Sequence, residues 1–191
     1  AHEICAAQAE NPALVGWITD DALDWASPAA DRRPSLLQVC LSLEPHYAAY
    51  HAAWEFVLAS HGGQLDRVAR AWNVGLANKE VVRELTRSEA GLATRGYLRD
   101  EMRWAREFSR RYFTVATAAI RQADPNHLVF GARFAGRVGA HVLAEGAYPA
   151  VDACLLPWPE LPAGAAARTQ PVLVDQVGWT DPAFERIPAG R

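Results

Sequence analysis

The chain has 191 residues, of which 50% are apolar, 9% aromatic and 21% charged, and its formal net charge is −3. This is the composition of one globular domain with a single core, and it excludes collagen-like, disordered and coiled-coil chains. No apolar run approaches the ~20 residues a bilayer requires, and no basic surplus argues for nucleic acid, so neither a membrane nor a nucleic acid is expected as a partner.

Leu14-Val15-Gly16-Trp17-Ile18-Thr19 is the first of four short, nearly continuous apolar runs, the pattern of a strand covered on both faces. Asp20, Asp21 and Asp24 follow it directly. Carboxylates at the C-terminal end of a buried parallel strand occupy the place where α/β barrels build active sites. An Asx turn or a helix cap accounts for the same residues equally well. Tyr47, Tyr50, Trp54 and Val57 recur at helical spacing, with Gly62-Gly63 as the stop.

The longest helical pattern runs from Ser88 to Ala123, with Trp104, Phe108, Tyr112, Val115 and Ile120 on one face and Asp124-Pro125-Asn126 at its end. A second strand is predicted over Leu128 to Phe134, a short helix over Gly139 to Glu145, a third strand over Val151 to Leu156 and a fourth over Pro171 to Asp175. The stretch from Pro157 to Pro171, rich in Pro, Ala and Gly, reads as a loop. Strand–helix alternation predicts an α/β fold, a parallel sheet or barrel, in one domain over residues 1–191.

Few residue patterns point to a particular chemistry. Cys5, Cys40 and Cys154 are odd in number and widely spaced, which predicts free, buried thiols. Cys154 lies inside an apolar run, where a thiolate is disfavoured. His46 and His51 are five apart and point about 140° apart on a helix, so no metal site is expected. With no nucleophile elbow, Walker loop or dinucleotide fingerprint, no cofactor is expected either. Of the seven tryptophans, Trp54, Trp72 and Trp104 lie in helical patterns and read as core. Trp17, Trp158 and Trp179 sit in or just beyond strands, where an indole face is available to stack on a ligand ring.

Four blocks in order carry a resemblance. Asn11-Pro12-Ala13-Leu14-Val15-Gly16-Trp17-Ile18-Thr19-Asp20-Asp21-Ala22-Leu23 is similar to the strand-four run N-P-x-(V/L)-x-G-(Y/W)-x-x-D-N-E-L of agarase-like and β-galactosidase-like glycoside hydrolases of the large (β/α)8 clan. His61-Gly62-Gly63 through Leu65 to Ala71-Trp72-Asn73 resembles that family's Y-G…L-N-x-A-W-G segment. Arg111-Tyr112-Phe113, Asp124-Pro125-Asn126-His127-Leu128 and Gly131-Ala132-Arg133-Phe134-Ala135 resemble its R-Y-F…D-P-N-H-L…G-x-R-F-A. Pro171-Val172-Leu173-Val174-Asp175-Gln176 resembles its strand-seven run. The resemblance implies a partial (β/α)8 TIM-type barrel of about four parallel strands with outer helices, corresponding to strands four to seven.

Two departures from that pattern matter. The family's acid/base glutamate corresponds to Ala22, with Asp21 in place of the preceding asparagine, and its strand-seven nucleophile corresponds to Gln176. Retaining hydrolysis needs two carboxyl groups about 5–5.5 Å apart, and neither alanine nor glutamine supplies one. Strict alternation along a strand sends Asp21 to the face opposite Ala22, and Asp175 opposite Gln176.

The expectation is therefore a hydrolytically inactive, at most sugar-binding domain using Trp17, Arg133, Trp158, Trp179 and Gln176, its ligand a galactan or β-galactoside-type carbohydrate. One alternative is an active glycosidase with its acid relocated to Asp21 or Asp20. The other is a structural half barrel that self-associates or pairs with missing barrel strands.

Overall fold

The computed structural model describes residues 2–23, 25, 35–75, 78–87, 94–134, 139, 142–156 and 171–174. They fall into two compact units, one comprising residues 1–24 and 112–191, the other residues 25–111.

In the first unit a short helix, α1 (His2–Gln8), precedes β1 (Gly16–Trp17) and β2 (Asp20–Leu23). Later in the chain come β3 (Leu128–Val129), β4 (Ala132–Phe134), a π-helical turn (Val142–Ala147), β5 (Cys154–Leu156) and β6 (Val172–Val174). Among the described residues every strand pairing is parallel: β1 with β3, β2 with β4 and β5 with β6, while β4 lies beside β5.

All four predicted strand segments therefore carry strand, and the first two are interrupted. The amide of Leu128 donates to Val15 O, that of Phe130 to Trp17 O and that of Thr19 to Gly131 O, so residues 15–23 and 128–134 run side by side through the interruption. Gly131, at φ 73°, supplies the kink between β3 and β4, a conformation glycine adopts without strain. Gly16 is needed for a different reason: a Cβ there would meet Leu128 O at 2.5 Å and the Phe130 ring at 2.7 Å. The short helix expected near Gly139–Glu145 is the π-helical turn, with Val142, Leu143, Gly146 and Ala147 buried.

The second unit is helical: α2 (Leu36–Ser42), α3 (Ala48–Ser60), α4 (Leu65–Trp72), α5 (Lys79–Arg87) and the first part of α6 (Arg95–Ala123), whose residues from Tyr112 onward belong to the first unit. Local chemistry sets the helix ends. Ser35 Oγ, Asn78 Oδ1 and Thr94 Oγ1 accept from the amides of Gln38, Val81 and Tyr97 at 3.1, 3.0 and 3.3 Å, each capping a helix start. The predicted stop after α3 is realised by the Gly63 amide donating to Leu58 O at 2.7 Å.

This unit has its own core, centred on Trp54, Trp72, Leu37, Leu41, Val57 and Tyr97. Trp72 meets Tyr97 edge to face at 5.2 Å, and Phe56 lies 5.3 Å from Trp104. The expectation that Trp54, Trp72 and Trp104 are core residues is met. Asp100, 1% exposed, accepts on one oxygen from Trp72 Nε1 at 2.8 Å and binds His61 Nε2 at 2.7 Å, tying the ends of α3 and α4 to α6. Among the described residues no helix is long and apolar enough to cross a membrane.

Candidate functional site

The candidate site begins with an irregularity in β2. Asp20 is in register with Ala132 and Leu23 with Phe134, so three steps on β2 face two on β4. One extra residue makes a β-bulge, and Ala22 in it has φ 58°, a left-handed conformation that costs an L-residue with a Cβ about 1–2 kcal/mol. In β4 Ala132 and Phe134 are buried, which leaves the Arg133 side chain on the opposite face.

Arg133 reaches Asp21 there. Its Nε and its NH2 group both lie 2.5 Å from Asp21 Oδ1. Tyr112, from the helix that returns the chain to the strands, donates its hydroxyl proton to Asp20 Oδ2 at 3.1 Å, and its oxygen lies 3.3 Å from the Thr19 hydroxyl. Three of the sequence candidates, Asp20, Asp21 and Arg133, are thus brought together at the exposed end of β2.

The bulge corrects one step of the sequence argument. Strict alternation would send Asp21 to the face opposite Ala22, but a bulge sets two consecutive residues against one on the partner strand, so that inference does not apply here. What limits Asp21 is electrostatic. The hydrogen bond from Arg133, aided by its charge and by the Ala22 amide, holds the Asp21 carboxyl below the usual aspartate range. A group ionised in this way carries no proton to donate near neutral pH. Burial, opposed by Thr19 and reinforced by Asp20, pushes the Tyr112 phenol above its ordinary value, so the hydroxyl stays protonated and keeps its hydrogen bond to Asp20. The cluster holds two carboxylates, a guanidinium and a neutral phenol, with Arg133 paired to Asp21 and Tyr112 to Asp20.

Trp17 is directed elsewhere. Its Nε1 donates to Asp124 Oδ2 at 2.7 Å, and the described contacts include no hydrogen bond or ring contact between Trp17 and the Asp21 group. Asp124 also binds His127 Nδ1 at 2.7 Å and accepts from the amides of Asn126 and His127 at 3.0 and 3.2 Å. Desolvation opposes ionisation of its carboxyl, but these donors hold it down to about 2. His127 Nε2 continues to Asn11 O at 3.1 Å, and Asn126 Nδ2 donates to Ala9 O at 3.0 Å. Sequence reasoning missed Tyr112 and Asp124 as polar partners, although each lies in one of the quoted blocks.

Asp24, Trp158, Asp175, Gln176 and Trp179 lie outside the described residues. Cys5, Cys40 and Cys154 are buried and in no disulfide, and burial pushes the Cys154 thiol up to about 12, well away from nucleophilic use at neutral pH. Among the described residues no group of three His, Cys, Asp or Glu side chains is placed to hold a metal ion.

No family model matches the chain, and no curated protein matches it. Solved structures do. An agarase superposes with a TM-score of 0.67 and 18% sequence identity over 91% of this chain, and an exo-β-agarase with a TM-score of 0.72 and 20% identity over 91%. The chain spans about a quarter of each, 26% and 25% of their lengths. Its fold is that of a segment of these agarases, so the agarase-like resemblance carried by the sequence blocks is present in the backbone as well.

Proposed function

We propose that the chain is a partial (β/α)8-type barrel of the agarase-like glycoside hydrolase lineage that binds a galactan or β-galactoside-type sugar without hydrolysing it. The all-parallel strand pairs and the superposition on agarases support the barrel lineage. The observation that carries the loss of hydrolysis is the pairing of Asp21 with Arg133 beside Ala22. The position matching the family's acid/base has no carboxyl group, and the adjacent carboxyl is held ionised. With Gln176 at the position matching the nucleophile, neither half of the double displacement has its group. Sugar hydroxyls would meet Asp20, Asp21, Arg133 and Tyr112; Trp158 and Trp179, outside the described residues, are the sequence's candidates for ring stacking.

Two measurements test this reading. Calorimetric titration with agarose oligosaccharides is expected to give weak binding, reduced by Arg133→Met. Assay with an aryl β-galactoside is expected to give no turnover. Turnover that vanishes in Asp21→Asn would replace this reading with that of an active glycosidase whose acid has moved.

A second reading, a structural module completed by further strands, is favoured by one observation. Val15, Ile18 and Leu128, in and beside β1 and β3, are 70%, 47% and 48% exposed.

A further inference from the structure

The face of α6 turned away from its own core has an unusual charge pattern. Tyr97, Asp100, Glu101 and Trp104 form the buried stripe, so the acidic residues of this stretch are turned inward. Arg95, Arg99, Arg103 and Arg106 lie at intervals of four, four and three residues and line a shallow groove together with Leu98 and Met102. At 1.5 Å per residue the four arginines extend over about 17 Å, some three turns. Surface helices ordinarily intersperse acids at i±4, because like charges at that spacing repel. Here four cations follow one another on a chain whose net charge is −3. Among the described residues Arg95, Arg99 and Arg103 have no ion-pair partner.

The apolar side chains between them decide what kind of anion fits. Leu98 and Met102, at i and i+4, are 40% and 49% exposed, and Met102 is the one methionine of the chain. Two apolar residues one turn apart, flanked by charges of one sign, make the half-seam by which helices pair, with partner choice set by the flanking charges. An exposed methionine adds an adaptable, polarisable contact. A flat polyanion would use the guanidinium groups and leave this seam open. We infer that this face of α6 docks an acidic amphipathic helix of a partner protein, its apolar stripe on Leu98 and Met102 and its carboxylates on Arg95, Arg99 and Arg103.

The test uses the full chain and a labelled synthetic helical peptide with Leu at the seam positions and Glu at the flanking ones, followed by fluorescence anisotropy. Binding is expected, weakened by salt, and absent for the same peptide with Lys in place of Glu. An Arg99→Glu, Arg103→Glu variant should bind roughly tenfold or more weakly, and so should Leu98→Ser, Met102→Ser, with far-UV circular dichroism unchanged in both. Three outcomes would overturn the proposal: no binding of the Glu peptide, binding indifferent to the Leu98 and Met102 changes, or preference for dextran sulfate or phosphatidylserine vesicles over the peptide. The outcome is independent of sugar binding, because the groove and the Asp21 cluster lie in different units.

Discussion

Trp17 Nε1 and Asp124 Oδ2 are 2.7 Å apart, and this hydrogen bond joins segments separated by 107 positions. Both partners stand in blocks that resemble agarase-like sequences, one in the first strand run and the other in Asp124-Pro125-Asn126-His127. The bond gives a physical reason for the two blocks to occur together: the aspartate after the helix anchors the indole of β1, while His127 and Asn126 hold the segment before it.

Replacing Asp124 with alanine should therefore lower the melting temperature by roughly 5 °C or more, since it leaves Trp17, His127 and two amides without their acceptor. A pH signature accompanies it. A folded-state value near 2 lies below the ordinary aspartate value of 3.8. This contribution to stability is thus present above about pH 4 and lost as pH falls from 4 towards 2. Thermal melts over that range should show a steeper acid loss in the parent chain than in Asp124→Asn.

Glu101 has the opposite sign. It is 4% exposed, and burial pushes its carboxyl up to about 7, with a hydrogen bond involving Ser35 opposing. The folded chain keeps the proton between pH 4.5 and 7 while the unfolded chain releases it, so stability falls as pH rises through that window and levels off above it. The change is of order 2 kcal/mol after allowance for solvent screening. Glu101→Gln should flatten this slope in chemical-denaturation curves. An unchanged slope would show that Glu101 is not the group responsible.

Much of the strand framework is legible in the sequence because buried strands are nearly continuously apolar, as in Leu128 to Phe134. The break at Gly131 was not anticipated: the run reads as one strand, although a glycine inside such a run is the residue that permits it. The helical unit was harder to read. In α4 only Val68 and Trp72 are buried, too few positions to establish a period, and the signals at Asn78 and Thr94 are single capping residues. Asp20, Asp21 and Arg133 were legible as candidates, but the pairing of Asp21 with Arg133 depends on a bulge that alternation alone does not reveal. Tyr112 was read as part of a helix face, whereas its hydroxyl lies against Asp20 and Thr19.

The bulge itself is testable. Ala22 at φ 58° bears a penalty that glycine avoids, offset in part by glycine's greater freedom in the unfolded chain. Ala22→Gly should stabilise by about 0.5 kcal/mol, and Ala22→Val should destabilise by about 1–2 kcal/mol. If glycine destabilises instead, the left-handed conformation at this position is wrong.

The last expectation concerns the open side of β1. Among the described strands β1 pairs with β3 alone, so its other edge has no partner there, and edges of this kind recruit further strands. Beside this edge stand Val15 and Ile18, with Leu128 opposite in β3, all substantially exposed. Burying each contributes roughly 1–2 kcal/mol, and a new ladder adds backbone hydrogen bonds, together enough for association at about 100 µM or below. Sedimentation should then show the isolated chain associating with itself in that range. Val15→Lys combined with Ile18→Lys should return it to a monomer, because charge on an edge opposes strand addition. A parent chain that stays monomeric, melts cooperatively and binds no hydrophobic dye would mean that this edge is covered from within the chain, and the structural-module reading would lose its support.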